Sequence, residues 1–98
     1  EIKKIKNNYE KIISVIGILK DKEKENMVKT FEEFSDYIIF TKPNTERAEQ
    51  PEELQKHTQI KSEIVHGVKK ALKKAKKLAM PNDLIVVTGS IYTVGEVD

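Results

Sequence analysis

Hydrophobic residues in this chain fall into short unbroken runs that alternate with stretches of helical period. In the first ten residues, Ile2, Ile5 and Tyr9 recur at spacings of three and four, which predicts a helix with one buried stripe. Lys11 to Leu19 (KIISVIGIL) is too apolar to alternate, and its β-branched run suits a strand buried on both faces of a parallel sheet. Gly17 and the charged run Lys20-Asp21-Lys22-Glu23 mark the exit from it. A helix over about Glu23 to Ser35 follows, with Met27, Val28, Phe31 and Phe34 as its apolar face. Tyr37-Ile38-Ile39-Phe40 reads as a second strand, broken by Thr41-Lys42-Pro43-Asn44 and a polar loop to Gln50.

Pro51-Glu52-Glu53 puts proline and two carboxylates where a helix begins, and this short helix ends near His57. Thr58 to Ser62 reads either as loop or as a brief edge strand. From Ser62 to Ala79 the period predicts a helix, with Ile64, Val65, Val68, Ala71, Leu72, Ala75, Leu78 and Ala79 on one arc. Six lysines from Lys69 to Lys77 occupy the other arc. Met80-Pro81-Asn82-Asp83 turns the chain into a last strand, Leu84 to Val87. Its end at Thr88-Gly89-Ser90 reads as a tight turn into a helix start, with Gly95 beyond.

Strands that alternate with helices and lack hairpin turns predict an α/β fold. The expected architecture is a three-layer, Rossmann-like, mostly parallel sheet with helices on both faces, in a single domain over residues 1–98. Three or four strands make a small sheet with an unpaired edge, which implies an element missing from it and a route to a homodimer through that edge.

Composition narrows the function classes. There is no cysteine, so neither disulfides nor thiolate metal sites are available. No apolar run is long enough for a membrane-spanning helix. The chain starts at Glu1 without a charged-then-apolar leader, so a cytoplasmic setting and a piece of something longer are expected. His57 and His66 lie nine apart with no ligand pattern around them, which argues against a metal site. The net charge of +2 is unevenly spread: residues 57–80 hold seven lysines against the single Glu63. A lysine stripe could track the phosphates of a nucleic acid or another anionic surface. It lacks the arginines and interleaved aromatics that such binders use, and an apolar face lies opposite, as on an outer helix.

In a parallel sheet the loops leaving the strand ends share one edge, where ligands bind. Here these are Lys20 to Glu23, Thr41 to Arg47, and Thr88-Gly89-Ser90 with Tyr92, so cations, an amide and hydroxyls could meet one anionic ligand.

The wording of these segments resembles a known family. NDLIVVTGSIYTVGEV is similar to a closing string, TGS-L-Y-x-V-G-E-V, of the folylpolyglutamate synthase/dihydrofolate synthase family, with Ile91 in place of the usual Leu. FTKPNTERAEQPEEL resembles that family's T-x-P-N-x-x-R-A block, and VIGILKDKEKENMV its strand, glycine, D-K-D loop and helix. The likeness runs from about Lys11 to Asp98 and is to the C-terminal domain, within the Mur ligase superfamily.

That resemblance implies an ATP-dependent ligase in which a folate carboxylate becomes an acyl phosphate and the amino group of glutamate attacks it. It implies that Asn44 and Arg47 face the incoming amino acid, and that Ser90 and Tyr92 belong to a turn at the same pocket. It also implies that Asp21, Lys22 and Thr41 lie near substrate or phosphate. An arginine suits the role because its guanidinium grips a carboxylate by two parallel hydrogen bonds. The chain departs from the family in having no phosphate-cradling glycine-rich loop, no D-G-A-H-N motif, and not the family's first strand. The resemblance therefore implies ATP and Mg²⁺ held by an N-terminal ATPase domain of the parent enzyme, and no cofactor and no catalysis for this chain by itself.

Overall fold

The computed structural model describes residues 11–20 and 23–87, together with the backbone of 90–93. Strand β1 (Ile12–Ile16) is buried at every position, as a run that is apolar but for Ser14 suits. It pairs in parallel with β2 (Tyr37–Phe40) on one side and β4 (Leu84–Val87) on the other. β2 pairs in parallel with β3 (Ser62–Ile64), and β5 (Ser90–Thr93) runs antiparallel along β4. Among the described residues the sheet order is thus β3-β2-β1-β4-β5.

The period of two along each strand divides the core. Ile12, Ile16, Ile38, Phe40, Leu84 and Val86 meet Val28, Phe31 and Phe34 from the α1 region (helix Lys24–Glu32) and Leu54 of α2 (Pro51–Gln55). Ile13, Val15, Ile39 and Ile85 face the other way, onto Ala71 and Ala75 of α3 (Val68–Leu78). The helices therefore cover both faces, and the two buried alanines let α3 lie close to the sheet. At the opening end of the strands, Asp36 Oδ2 accepts the Ile12 amide at 2.8 Å, and buried Asp83 accepts the Met80 amide at 2.8 Å. Behind β1, the Ser14 and Ser35 hydroxyls hydrogen-bond to each other within the core.

Two local expectations are corrected. Ser62 to Ala79 is not one helix: Ser62–Ile64 is a strand in register with Ile38, Ile39 and Phe40, and the helix starts only at Val68. Ile64 and Val65 pack on opposite faces of the sheet, as a strand requires and a helical arc forbids. Gly67, at φ 99°, turns the chain between them and the helix, a conformation that side chains resist. The free edge of β2 prevails here over helical period, because its buried amides and carbonyls need partners.

The second correction concerns Ser90. The chain does not enter a helix there; Ser90 to Thr93 fold back on β4 as a hairpin, with Val87 opposite Ser90. Two residues including a glycine between apolar runs are a hairpin signal, and an antiparallel fifth strand joins the four parallel ones. The predicted first helix, Glu1 to Glu10, lies outside the described residues.

Candidate functional site

Strands β2 and β3 extend to one side of β1, whereas β4 and β5 extend to the other. The order reverses beside β1, and in open α/β sheets the crevice at the carboxyl ends of such neighbouring strands is the place for a ligand. The exits of β1 and β2 are laced together at that edge. The Thr41 amide donates to Ile16 O at 2.9 Å, and the Glu49 amide donates to Ile18 O at 2.8 Å. Leu19 and Ala48 form an antiparallel bridge, and the Lys20 amide donates to Arg47 O at 2.8 Å. The loop after β2 thus doubles back over the tip of β1. It sets the backbone of Arg47 beside Lys20, next in sequence to Asp21 and Lys22.

Within that loop a tight turn presents the polar side chains. The Thr45 amide donates to Pro43 O at 2.8 Å and the Ala48 amide to Thr45 O at 3.1 Å, leaving Asn44 and Arg47 exposed. Glu49 anchors the return. It is buried, lies 2.6 Å from Lys24 Nζ, and accepts the Gln50 amide at 3.0 Å. The Lys24 ammonium holds the Glu49 carboxyl below its usual range, and that hydrogen bond in turn raises Lys24. Beneath the loop, Thr41 is 2 % exposed and its hydroxyl has no hydrogen-bond partner among the described residues.

Lys42 to Glu46 also form one wall of an open groove of about 610 Å³, facing His66 and Gly67 at the start of α3. His66 Nε2 lies 3.5 Å from Glu52 Oε2. Elsewhere, burial pushes the Tyr37 phenol up to about 12, assisted by its hydrogen bond to Glu63 at 2.6 Å. The Thr58 hydroxyl and the Gln59 amide hold Glu32 below the usual carboxylate range. The first contact fastens β3 to β2 and the second the segment before β3, rather than the ligand edge. Among the described residues no group of three or more His, Asp or Glu is placed to hold a metal ion.

The predicted site residues separate into three sets. Thr41, Asn44 and Arg47 share the loop over β1. Ser90 opens β5, at the same edge but three strand positions from β2, which is about 14 Å at ordinary strand spacing. Tyr92 pairs with Ile85 inside the hairpin, so it belongs to a strand and not to a turn. Asp21 and Lys22 lie outside the described residues. The sequence reading missed Glu49 and its tie to Lys24, as well as the groove wall at His66 and Gly67. Ala48, the lone apolar residue between Pro43 and Pro51, is the available sign that this loop is pinned down.

Comparison with known proteins places the fold. The family model described as Mur ligase, glutamate ligase domain, matches residues 1–91. Among solved structures, E. coli FolC in complex with ADP, without folate substrate, superposes with a TM-score of 0.80 at 23 % identity, over 98 % of this chain and 24 % of its own. UDP-N-acetylmuramoyl-L-alanyl-D-glutamate–2,6-diaminopimelate ligase superposes with a TM-score of 0.70 at 19 % identity, over 88 % of this chain and 20 % of that one. The chain spans about a quarter or less of these similar structures. No curated protein matches it by sequence. With the family model covering nearly its whole length, the chain belongs to the Mur ligase family, as a glutamate ligase domain.

Proposed function

We propose that this chain is the C-terminal domain of a larger ATP-dependent amide ligase that adds glutamate to folate, and that it supplies the amino-acid side of the active site. The observation that carries the reading is the loop of Thr41 to Arg47 folded over the tip of β1 and locked there by Glu49. It holds an amide and a guanidinium, exposed, at the ligand edge of a glutamate ligase domain. Arg47 would grip a carboxylate of the incoming glutamate, Asn44 would hydrogen-bond to it, and the amino group would then point toward the activated acceptor. The likeness of three separate segments to folylpolyglutamate synthases favours folate over a peptidoglycan precursor as acceptor.

In this proposal ATP and Mg²⁺ belong to the N-terminal domain of the parent, a reading supported by the ADP bound to the similar E. coli FolC, of which this chain spans 24 %. When bound there, ATP supplies the phosphoryl group that activates the acceptor carboxylate. The chain by itself is then inactive, and the setting is cytoplasmic; no described helix is long and apolar enough to cross a membrane. A homodimer through the sheet edge remains part of the proposal, although β3, only three residues long, offers a short template on its side.

The test is Arg47→Lys in the intact ligase. The KM for glutamate should rise about tenfold while the KM for ATP stays unchanged, since lysine cannot reproduce a bidentate grip. Unchanged kinetics toward glutamate would remove Arg47 from the pocket.

A further inference from the structure

Helix α3 carries six lysines and no acidic residue along its eleven positions. Lys69, Lys70, Lys73 and Lys77 are exposed and have no ion-pair partner among the described residues. Lys74 approaches Glu63 only to 3.9 Å. Like charges three and four apart on a helix repel, so Lys69, Lys70, Lys73 and Lys77 weaken the element that bears them. The stripe also has a definite origin. α3 begins at the carboxyl edge of the sheet, and Gly67, its cap, lines the groove opposite Lys42 and Asn44. Lys70 lies over that glycine, its Cδ 3.9 Å from where a Cβ would stand. A band of ammonium groups therefore leads from the groove along the outer face of α3 for about 12 Å, the rise of eight helical residues.

We infer that this band from the groove rim along α3 holds a flexible chain of successive carboxylates, the oligoglutamate tail of an acceptor that has already been extended. Charge complementarity selects a polyanion, and the residue types select a polycarboxylate over a nucleic acid. Lysine ammonium groups are point charges that suit single carboxylates in shifting register, whereas base stacking and bidentate phosphate contacts call for aromatics and arginine. The stripe has neither. A tail that begins at the ligand edge can run down α3 without leaving the protein surface. The origin of the tail rests on the function proposed above; the binding surface does not.

The experiment is an NMR titration of the 98-residue chain with free glutamate, with a tetraglutamate peptide, and with a single-stranded oligodeoxynucleotide matched to it in charge. Tetraglutamate should bind more tightly than either, shift the amides of residues 67–77, and release as salt rises. Replacing Lys69, Lys70, Lys73 and Lys77 together by glutamine should weaken tetraglutamate about tenfold, as four exposed pairs of modest strength would. Circular dichroism checks that this variant stays folded. Preference for the oligonucleotide, absence of tetraglutamate binding at low salt, or equal binding by the variant overturns the inference. In the intact ligase the same variant should raise KM for acceptors carrying several glutamates and leave monoglutamyl acceptors alone. If the wild-type ligase turns over no folate acceptor at all, it is the proposed function that fails, while the peptide titration still decides the surface.

Discussion

Lys24 Nζ stands 2.6 Å from Glu49 Oε1, joining the first turn of α1 to the segment that returns from Arg47 toward α2. Both side chains come from polar stretches on either side of β2, and their contact holds the loop over β1 closed. The pair is the latch of the candidate site.

The latch has a pH signature. The folded pKa of Glu49 is depressed, so its stabilising effect is present above the ordinary 4.5 and is lost as pH falls through the lower folded value. Lys24 is raised, so its effect is full below 10.5 and is lost only as pH climbs beyond it. Glu49→Gln should therefore melt at a lower temperature than the parent throughout the neutral range, with the gap closing in acid. A Tm difference that persists undiminished below both carboxyl values would show that the latch is not electrostatic.

Gly17 is a second control on the same loop. Its backbone is not in the left-handed region, so alanine meets no conformational bar there. What stands in the way is Pro43: an added Cβ would sit 2.9 Å from Cδ and 3.1 Å from Cγ of a rigid ring. Gly17→Ala should cost about 1–3 kcal/mol in denaturant unfolding, as overpacking does, and should displace the Thr41 to Arg47 loop. If the loop matters to glutamate, the intact ligase should lose affinity for it in parallel.

Thr41 separates stability from function. A buried hydroxyl with no partner among the described residues is a net cost, so Thr41→Val should leave the chain as stable or raise its stability by about 1 kcal/mol. If the hydroxyl serves substrate or phosphate, the same change lowers ligase activity in the assembled enzyme. Stability and activity both unaltered would mark Thr41 as a residue of the strand end alone.

The layered core of the sheet was legible because β1, β2 and β4 announce themselves. Runs such as IISVI and LIVV are apolar but for Ser14 and point to a site between two helical layers. The apolar face of α1 was equally plain, and Val28, Phe31 and Phe34 are buried as the spacing requires. The loop Thr41 to Arg47 could be named from its residues, and Ala48 signals that it is pinned, yet nothing in its wording names Leu19 as the partner. That contact joins positions 29 apart.

Local pattern misled at two places, both next to a glycine. At Ser62 to Val65 the neighbours Ile64 and Val65 prolong the helical arc of α3, and the unpaired edge of β2 drew the segment into the sheet instead. At Ser90 the exposed side of β4 did the same. By itself, then, the chain's sequence determined which segments are buried, which face of each helix turns inward, and which loops crowd one edge. Those follow from spacing and hydrophobicity, which act within one element. Strand order and the distance between Arg47 and Ser90 were settled only in the folded sheet, because both are fixed by hydrogen bonds between backbones far apart in sequence, and the direction of β5 by the open edge that this order leaves on β4.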